Sequence, residues 1–135
     1  MALKENQKCG ILTLAEVNSV CLQIQQLISN NCYTISKRGK NDTFSDEYSL
    51  KPDKKHELLS SITYENYSHS VRNHKPKFEH EILHVFGLKV ELDCWGELKE
   101  VEIYIKINIC HMANNSLGIV ISLHEAEREL SYPYG

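Results

Sequence analysis

The chain has no long apolar run, no closely spaced cysteine pair and no excess of positive charge, and each absence removes a class of protein. No window of its 135 residues approaches the roughly 20 apolar residues that a membrane-spanning helix needs. No apolar stretch follows the charged N-terminus in the way a secretory signal requires, so no membrane association and a cytoplasmic location are the expectation. The five cysteines are odd in number and irregularly spaced. Without a Cys-x-x-Cys pair they argue against a zinc ribbon or a thioredoxin-like motif, and they read as incidental thiols in a reducing cytosol. With 15 Lys and Arg against 18 Asp and Glu the net charge is −3, which speaks against a protein coated in positive potential. No internal repeat or low-complexity segment is present.

What the chain does have suits one domain over residues 1–135, with 1–12 as a flexible N-terminus and 126–135 as a C-terminal tail. Thr13-Leu-Ala-Glu16 has capping-box spacing. Leu14, Val17, Val20, Cys21, Ile24, Leu27 and Ile28 then recur at the three-and-four period of an amphipathic helix ending near 29–31. Cys32 to Ser36 is β-prone, Asp42 to Leu50 has room for a short helix, and Pro52-Asp53 opens a helix to about Ile62 that buries Leu58, Leu59 and Ile62. Tyr64 to His80 reads as a long loop of tyrosines, histidines and basic residues. From Glu81 the period changes to two. Ile82–Phe86 is a strand ended by Gly87, Leu88–Leu92 a second, and Asp93–Glu97 a turn. The fold class is therefore α+β, with N-terminal helices packed on one face of a small, mainly antiparallel sheet.

The clearest strands are Val101–Ile109 and Leu117–Leu123, around an asparagine-bearing turn. Alternation makes Val101, Ile103, Ile105, Ile107 and Ile109 core and turns Tyr104, Lys106 and Asn108 the other way. In the partner, Ile119, Ile121 and Leu123 share the core face, while Val120, Ser122 and His124 share the opposite one. Matching core to core, a three-residue loop sets Tyr104 opposite His124 and Lys106 opposite Ser122; a shift by two sets Lys106 opposite His124. Either register gathers Tyr104, Lys106, Ser122 and His124 on one surface.

Such a patch has the chemistry to split RNA without a metal or other cofactor. Histidine can move protons near neutrality, lysine can stabilise phosphoryl oxygens, and tyrosine can hydrogen-bond or stack on a base. The plainer alternative is the solvated face of a half-covered sheet. Lys37, Arg38 and Lys40, with Arg72, Lys75 and Lys77, are two basic clusters suited to holding phosphates, or else a solvated turn and loop. Tyr67 either stacks a base or anchors its loop on the core. His69, His74, His80 and His84 invite a metal reading, but their spacing is loose and their surroundings lysine-rich, so no metal is expected. The tail with Tyr132-Pro133-Tyr134 either packs over the sheet or reaches a partner.

Several strings occur in a familiar order: Tyr33-Thr-Ile-Ser-Lys-Arg-Gly-Lys-Asn41, Leu59-Ser-Ser-Ile-Thr-Tyr-Glu-Asn-Tyr67, Val85-Phe-Gly87, Glu102-Ile-Tyr-Ile-Lys-Ile107, Ile121-Ser-Leu-His-Glu-Ala-Glu127 and Tyr132-Pro-Tyr134. From about Leu14 to Tyr134 the set resembles the motility quorum-sensing regulator (MqsR-like) toxins of toxin–antitoxin systems. That resemblance implies a RelE-like fold, a ribosome-independent mRNA endonuclease, and a zinc-binding helix-turn-helix antitoxin as partner. It also implies an active-site tyrosine at Tyr104 and a basic group at His124, where the family pattern has lysine. Past Tyr67 the family has a lysine where this chain has Ser68 and His69. The expected function is a metal-independent mRNA interferase with Tyr104, Lys106 and His124 catalytic and Lys37, Arg38, Lys40, Tyr67, His69, Arg72, Lys75, Lys77 and Ser122 binding substrate. The competing expectation is a non-catalytic module that docks on a macromolecular partner.

Overall fold

A computed structural model describes residues 8–111 and 115–135. In chain order the elements are β1 (Lys8–Gly10), α1 (Leu14–Ser29), β2 (Tyr33–Ile35), α2 (Gly39–Glu47), α3 (Pro52–Ser60), a 3₁₀ turn (Tyr64–Asn66), β3 (Tyr67–Arg72), β4 (Ile82–Cys94), β5 (Glu97–His111) and β6 (Ser116–Glu125). The strands form one sheet in the order β1-β3-β4-β5-β6-β2. Every pairing is antiparallel except that of β2 with β6. The α+β class is therefore the one expected, and among the described residues no helix is long and apolar enough to cross a membrane.

Local chemistry sets the helix ends. Thr13 and Glu16 complete the capping box, and α1 closes in a Schellman motif, with Asn31 left-handed (φ 56°) and Cys32 N–H bonded to Leu27 O at 2.8 Å. Since β1 and β2 lie on opposite edges of the sheet, α1 must cross it between them. It buries Val17, Cys21, Ile24 and Ile28 against Phe86, Leu88, Val101, Ile103, Ile105 and Ile107 in one core cluster. Leu58, Leu59 and Ile62, at the end of α3 and just beyond it, complete that layer. Leu14, expected in the core, is instead exposed.

Three readings of the sequence need correction. The stretch expected as a long loop contains β3, paired to both β1 and β4. Its buried positions carry serine and tyrosine hydroxyls rather than aliphatic groups, so no apolar alternation marks it. Residues 8–12, expected to be flexible, are held: β1 pairs with β3, and Leu12 N–H donates to Tyr67 Oη at 3.1 Å. The remainder of that expectation, and the hairpin loop at 112–114, lie outside the described residues.

The third correction concerns Gly87, which does not end a strand. β4 runs unbroken from Ile82 to Cys94, and the reversal is a two-residue turn at Trp95-Gly96, both left-handed (φ 55° and 90°). Gly87 lies mid-strand because the tail passes directly over it: a methyl group there would overlap Tyr132 Oη and come within 2.7 Å of Leu130 Cδ1. The tail thus packs on the sheet, the first of the two alternatives. Tyr132 donates to Glu102 Oε2 at 2.5 Å, Lys89 Nζ lies over its ring, and Tyr134 donates to Leu12 O at 2.6 Å. Gly87→Ala is expected to cost about 1–3 kcal/mol by overpacking and to release the tail. A fall in thermal midpoint, with faster proteolysis after residue 125, checks this.

Candidate functional site

Two β-bulges shape the face of the sheet that the helices leave uncovered. In β6, Lys106 pairs with Ser122 but Ile107 pairs with Val120, so Ile121 is the extra residue. In β3, Tyr67 pairs with Phe86 but His69 with Val85, so Ser68 is extra. A bulge shifts side-chain parity by one. Tyr67 and His69, two apart in sequence, consequently point to opposite faces: Tyr67 is fully buried and His69 lines a cleft. Likewise Val120 and Leu123 are both core, while Ser122 and His124 face the cleft. This corrects the expected alternation, in which Ile119 and Ile121 were core and Val120 was not. The expected pairs Tyr104–His124 and Lys106–Ser122 are found on the C-terminal side of the bulge.

The cleft is about 900 Å³ and is lined by Tyr104, Lys106, Ser122, His124 and His69 from the sheet, with Arg38 and Lys40 at the start of α2 and Glu127, Arg128, Glu129 and Leu130 from the tail. The Tyr104 and His124 rings stack at 5.4 Å with 15° between planes. His124 Nδ1 lies 2.9 Å from the carbonyl of Glu125. A carbonyl only accepts, so Nδ1 carries the proton and the neutral ring presents Nε2 as a base. Burial, with the Glu127 carboxylate nearby, raises the Tyr104 pKa, so the phenol stays a donor at neutral pH. Burial, reinforced by Arg38, lowers the Lys106 pKa, and Ser68 Oγ lies 2.9 Å from His69 Nδ1.

The chain matches no family model, and neither a curated protein nor a solved structure matches it. Within the cleft itself the groups brought together are two imidazoles, a phenol, four cationic side chains and two carboxylates. Among the described residues no group of three or more His, Cys, Asp or Glu side chains is placed to hold a metal ion.

Asn41 positions the α2 wall. Its Nδ2 donates to Ser36 O and Ile121 O at 3.0 and 3.1 Å, and its Oδ1 accepts from Leu123 N–H at 2.9 Å. The side-chain amide therefore acts as a strand partner for the edge of β6, spanning its bulge. Lys40 closes the opening with an ion pair to Glu127 at 2.6 Å.

The structure gathers Tyr104, Lys106, Ser122, His124, His69, Arg38 and Lys40 at the cleft, but other expected binding residues lie elsewhere. Lys37 lines a separate, smaller cavity with Phe44, Leu50 and Lys55 and is not on the cleft lining. Arg72 donates to Glu79 O at 3.4 Å, and it, Lys75 and Lys77 are exposed at the end of β3 and in the loop after it, off the cleft lining. Tyr67 has no exposed surface and cannot stack on a base. Sequence reasoning missed Asn41, Glu127 and Arg128. The first stood in the quoted string 33–41 as the only amide beside the basic turn, but its partners come from strands far along the chain.

Tyr67 instead anchors a buried polar chain. Leu12 N–H donates to Tyr67 Oη, which lies 2.8 Å from Ser70 Oγ, itself 3.0 Å from His84 Nδ1. Either hydroxyl can donate in the Tyr67–Ser70 pair, and a neutral imidazole at His84 can complete the chain as acceptor or donor to Ser70. Burial lowers the His84 pKa from 6.5 to about 4. Between those values the unfolded chain binds a proton that the folded one refuses. His84 thus leaves stability intact above pH 6.5 and removes about 3 kcal/mol as pH falls to about 4. Urea midpoints measured across this range should drop more steeply for the wild type than for His84→Asn; parallel curves would reject the assignment.

Proposed function

We propose that the chain is the toxin of a toxin–antitoxin pair and cleaves cytoplasmic messenger RNA without a metal. The observation that carries this reading is the convergence of Tyr104, Lys106, His124 and His69 on one open cleft. In this mechanism His124 Nε2 takes the proton of a ribose 2′-hydroxyl, and the resulting oxygen attacks the adjacent phosphorus. Lys106 and the protonated Tyr104 stabilise the charge that builds on the phosphoryl oxygens. The bond to the 5′-oxygen breaks, His69 supplies its proton, and a 2′,3′-cyclic phosphate remains. The resemblance to motility quorum-sensing regulator toxins supports the RelE-like assignment and the biological setting, with a zinc-finger/helix-turn-helix antitoxin as the proposed partner.

The test is incubation of purified protein with synthetic RNA in a chelator. The expected result is cleavage to ends carrying 2′,3′-cyclic phosphate and 5′-hydroxyl, blocked where the nucleotide before the cut is 2′-deoxy. RNA left intact, together with growth arrest on expression without new transcript ends, would instead favour a binding module.

A further inference from the structure

We infer that Glu127 occupies the place of a substrate phosphate, and that Lys40 exchanges this internal carboxylate for the backbone of a bound oligonucleotide. The inference rests on the RNA reading above and assigns the cleft its phosphate subsite.

Geometry supports it in three ways. First, the Lys40–Glu127 pair joins α2 on one wall to the tail on the other, across the cleft that holds the proposed catalytic groups. Second, the tail does not need this pair to stay in place. Ala126 N–H is bonded to Glu102 O at 2.8 Å, Tyr132 to the Glu102 carboxylate, and Tyr134 to Leu12 O while stacking on Tyr67. Third, both partners are open to solvent, with side-chain exposures of 63% and 65%. An ion pair so exposed changes an equilibrium by a factor of at most about five, so a better anion can displace it.

The electrostatics fit the same exchange. Glu127 is held ionised first by Lys40 and further by His124 and Arg128, and its charge in turn reaches Tyr104. These are groups that a phosphate at the proposed reaction centre would meet. The cleft also carries four cations, Arg38, Lys40, Lys106 and Arg128, against the two carboxylates Glu127 and Glu129, in a chain of net charge −3. A tethered carboxylate is always present at Lys40, so a lone phosphate competes poorly. A ligand whose neighbouring phosphates also engage the other cations competes well. The device favours a polynucleotide over a mononucleotide.

Fluorescence anisotropy with a labelled 2′-O-methyl oligonucleotide, which cannot be cleaved, tests this at low salt on folded wild type, Glu127→Gln, Lys40→Met and the double variant. Glu127→Gln is expected to bind roughly three- to fivefold more tightly, Lys40→Met more weakly, and the double variant like Lys40→Met alone. Equal tightening by Glu127→Gln in both Lys40 backgrounds would mean general repulsion and overturn the exchange, as would no tightening at all. Inorganic pyrophosphate is the second probe. If it binds Glu127→Gln more tightly while no variant binds the oligonucleotide, the subsite stands and the RNA reading falls. If RNA is cut but its binding ignores both substitutions, the reading stands and the subsite falls.

Discussion

His124→Ala is expected to lower RNA cleavage by a factor of about 10²–10⁴, the usual contribution of a positioned general base. The ring is not part of the hydrophobic core; its contacts are the Tyr104 face and the Glu125 carbonyl. Folding should therefore survive, and an unchanged thermal midpoint is the control. Because the Glu125 carbonyl fixes the proton on Nδ1, the base is Nε2. A glutamine at 124 can still hydrogen-bond but cannot move a proton, so it should not restore the rate. Tyr104→Phe keeps the stacking partner but removes the donor, so it should lower the rate in the same assay. A loss of less than about threefold in His124→Ala would remove the histidine from the chemistry.

Asn41→Ala is expected to cost about 3–5 kcal/mol, because three hydrogen bonds to backbone groups vanish together and leave a buried N–H and two carbonyls unpaired. The loss should extend beyond stability. Asn41 grips Ile121 O and Leu123 N–H, on either side of the β6 bulge. That bulge is what lets Val120 and Leu123, three apart, both enter the core while Ser122 and His124 face the cleft. A variant that folds at low temperature should therefore show weakened cleavage in addition to a lowered midpoint. Asn41→Asp is the finer probe: it keeps the acceptor for Leu123 N–H but sets a carboxylate oxygen against two carbonyls, so it should approach the alanine variant in stability. A chemical-denaturation loss under about 1 kcal/mol for alanine would show that the edge of β6 holds itself.

These expectations separate what periodicity can encode from what it cannot. The run from Val101 to Ile109 alternates so regularly that its core face and its polar face follow from parity alone, and of the two registers parity allows, the tighter-loop one that pairs Tyr104 with His124 is the one found. The α1 helix is equally legible, because its cap and its apolar stripe are local. β3 was not legible: Tyr67 and Ser70 are satisfied by one another and by Leu12 and His84, Ser68 pairs with His69, and a hydroxyl paired inside looks in sequence like a hydroxyl in water. The same blindness placed Tyr67 among substrate contacts and left Arg72, Lys75 and Lys77 as a phosphate site, although they lie exposed at the end of β3 and in the loop after it, off the cleft lining.

By itself, then, the sequence determined the α+β class, the β5 and β6 strands and the side of β5 on which a phenol and an amine stand, because strand parity and helix period are properties of neighbours along the chain. Tertiary structure alone decided the two bulges, the Asn41 bridge and the passage of the tail over Gly87. Each of these depends on a backbone group finding its partner from a distant segment. A single extra residue in β3, invisible in composition, is enough to turn His69 away from Tyr67 and into the cleft that His124 faces.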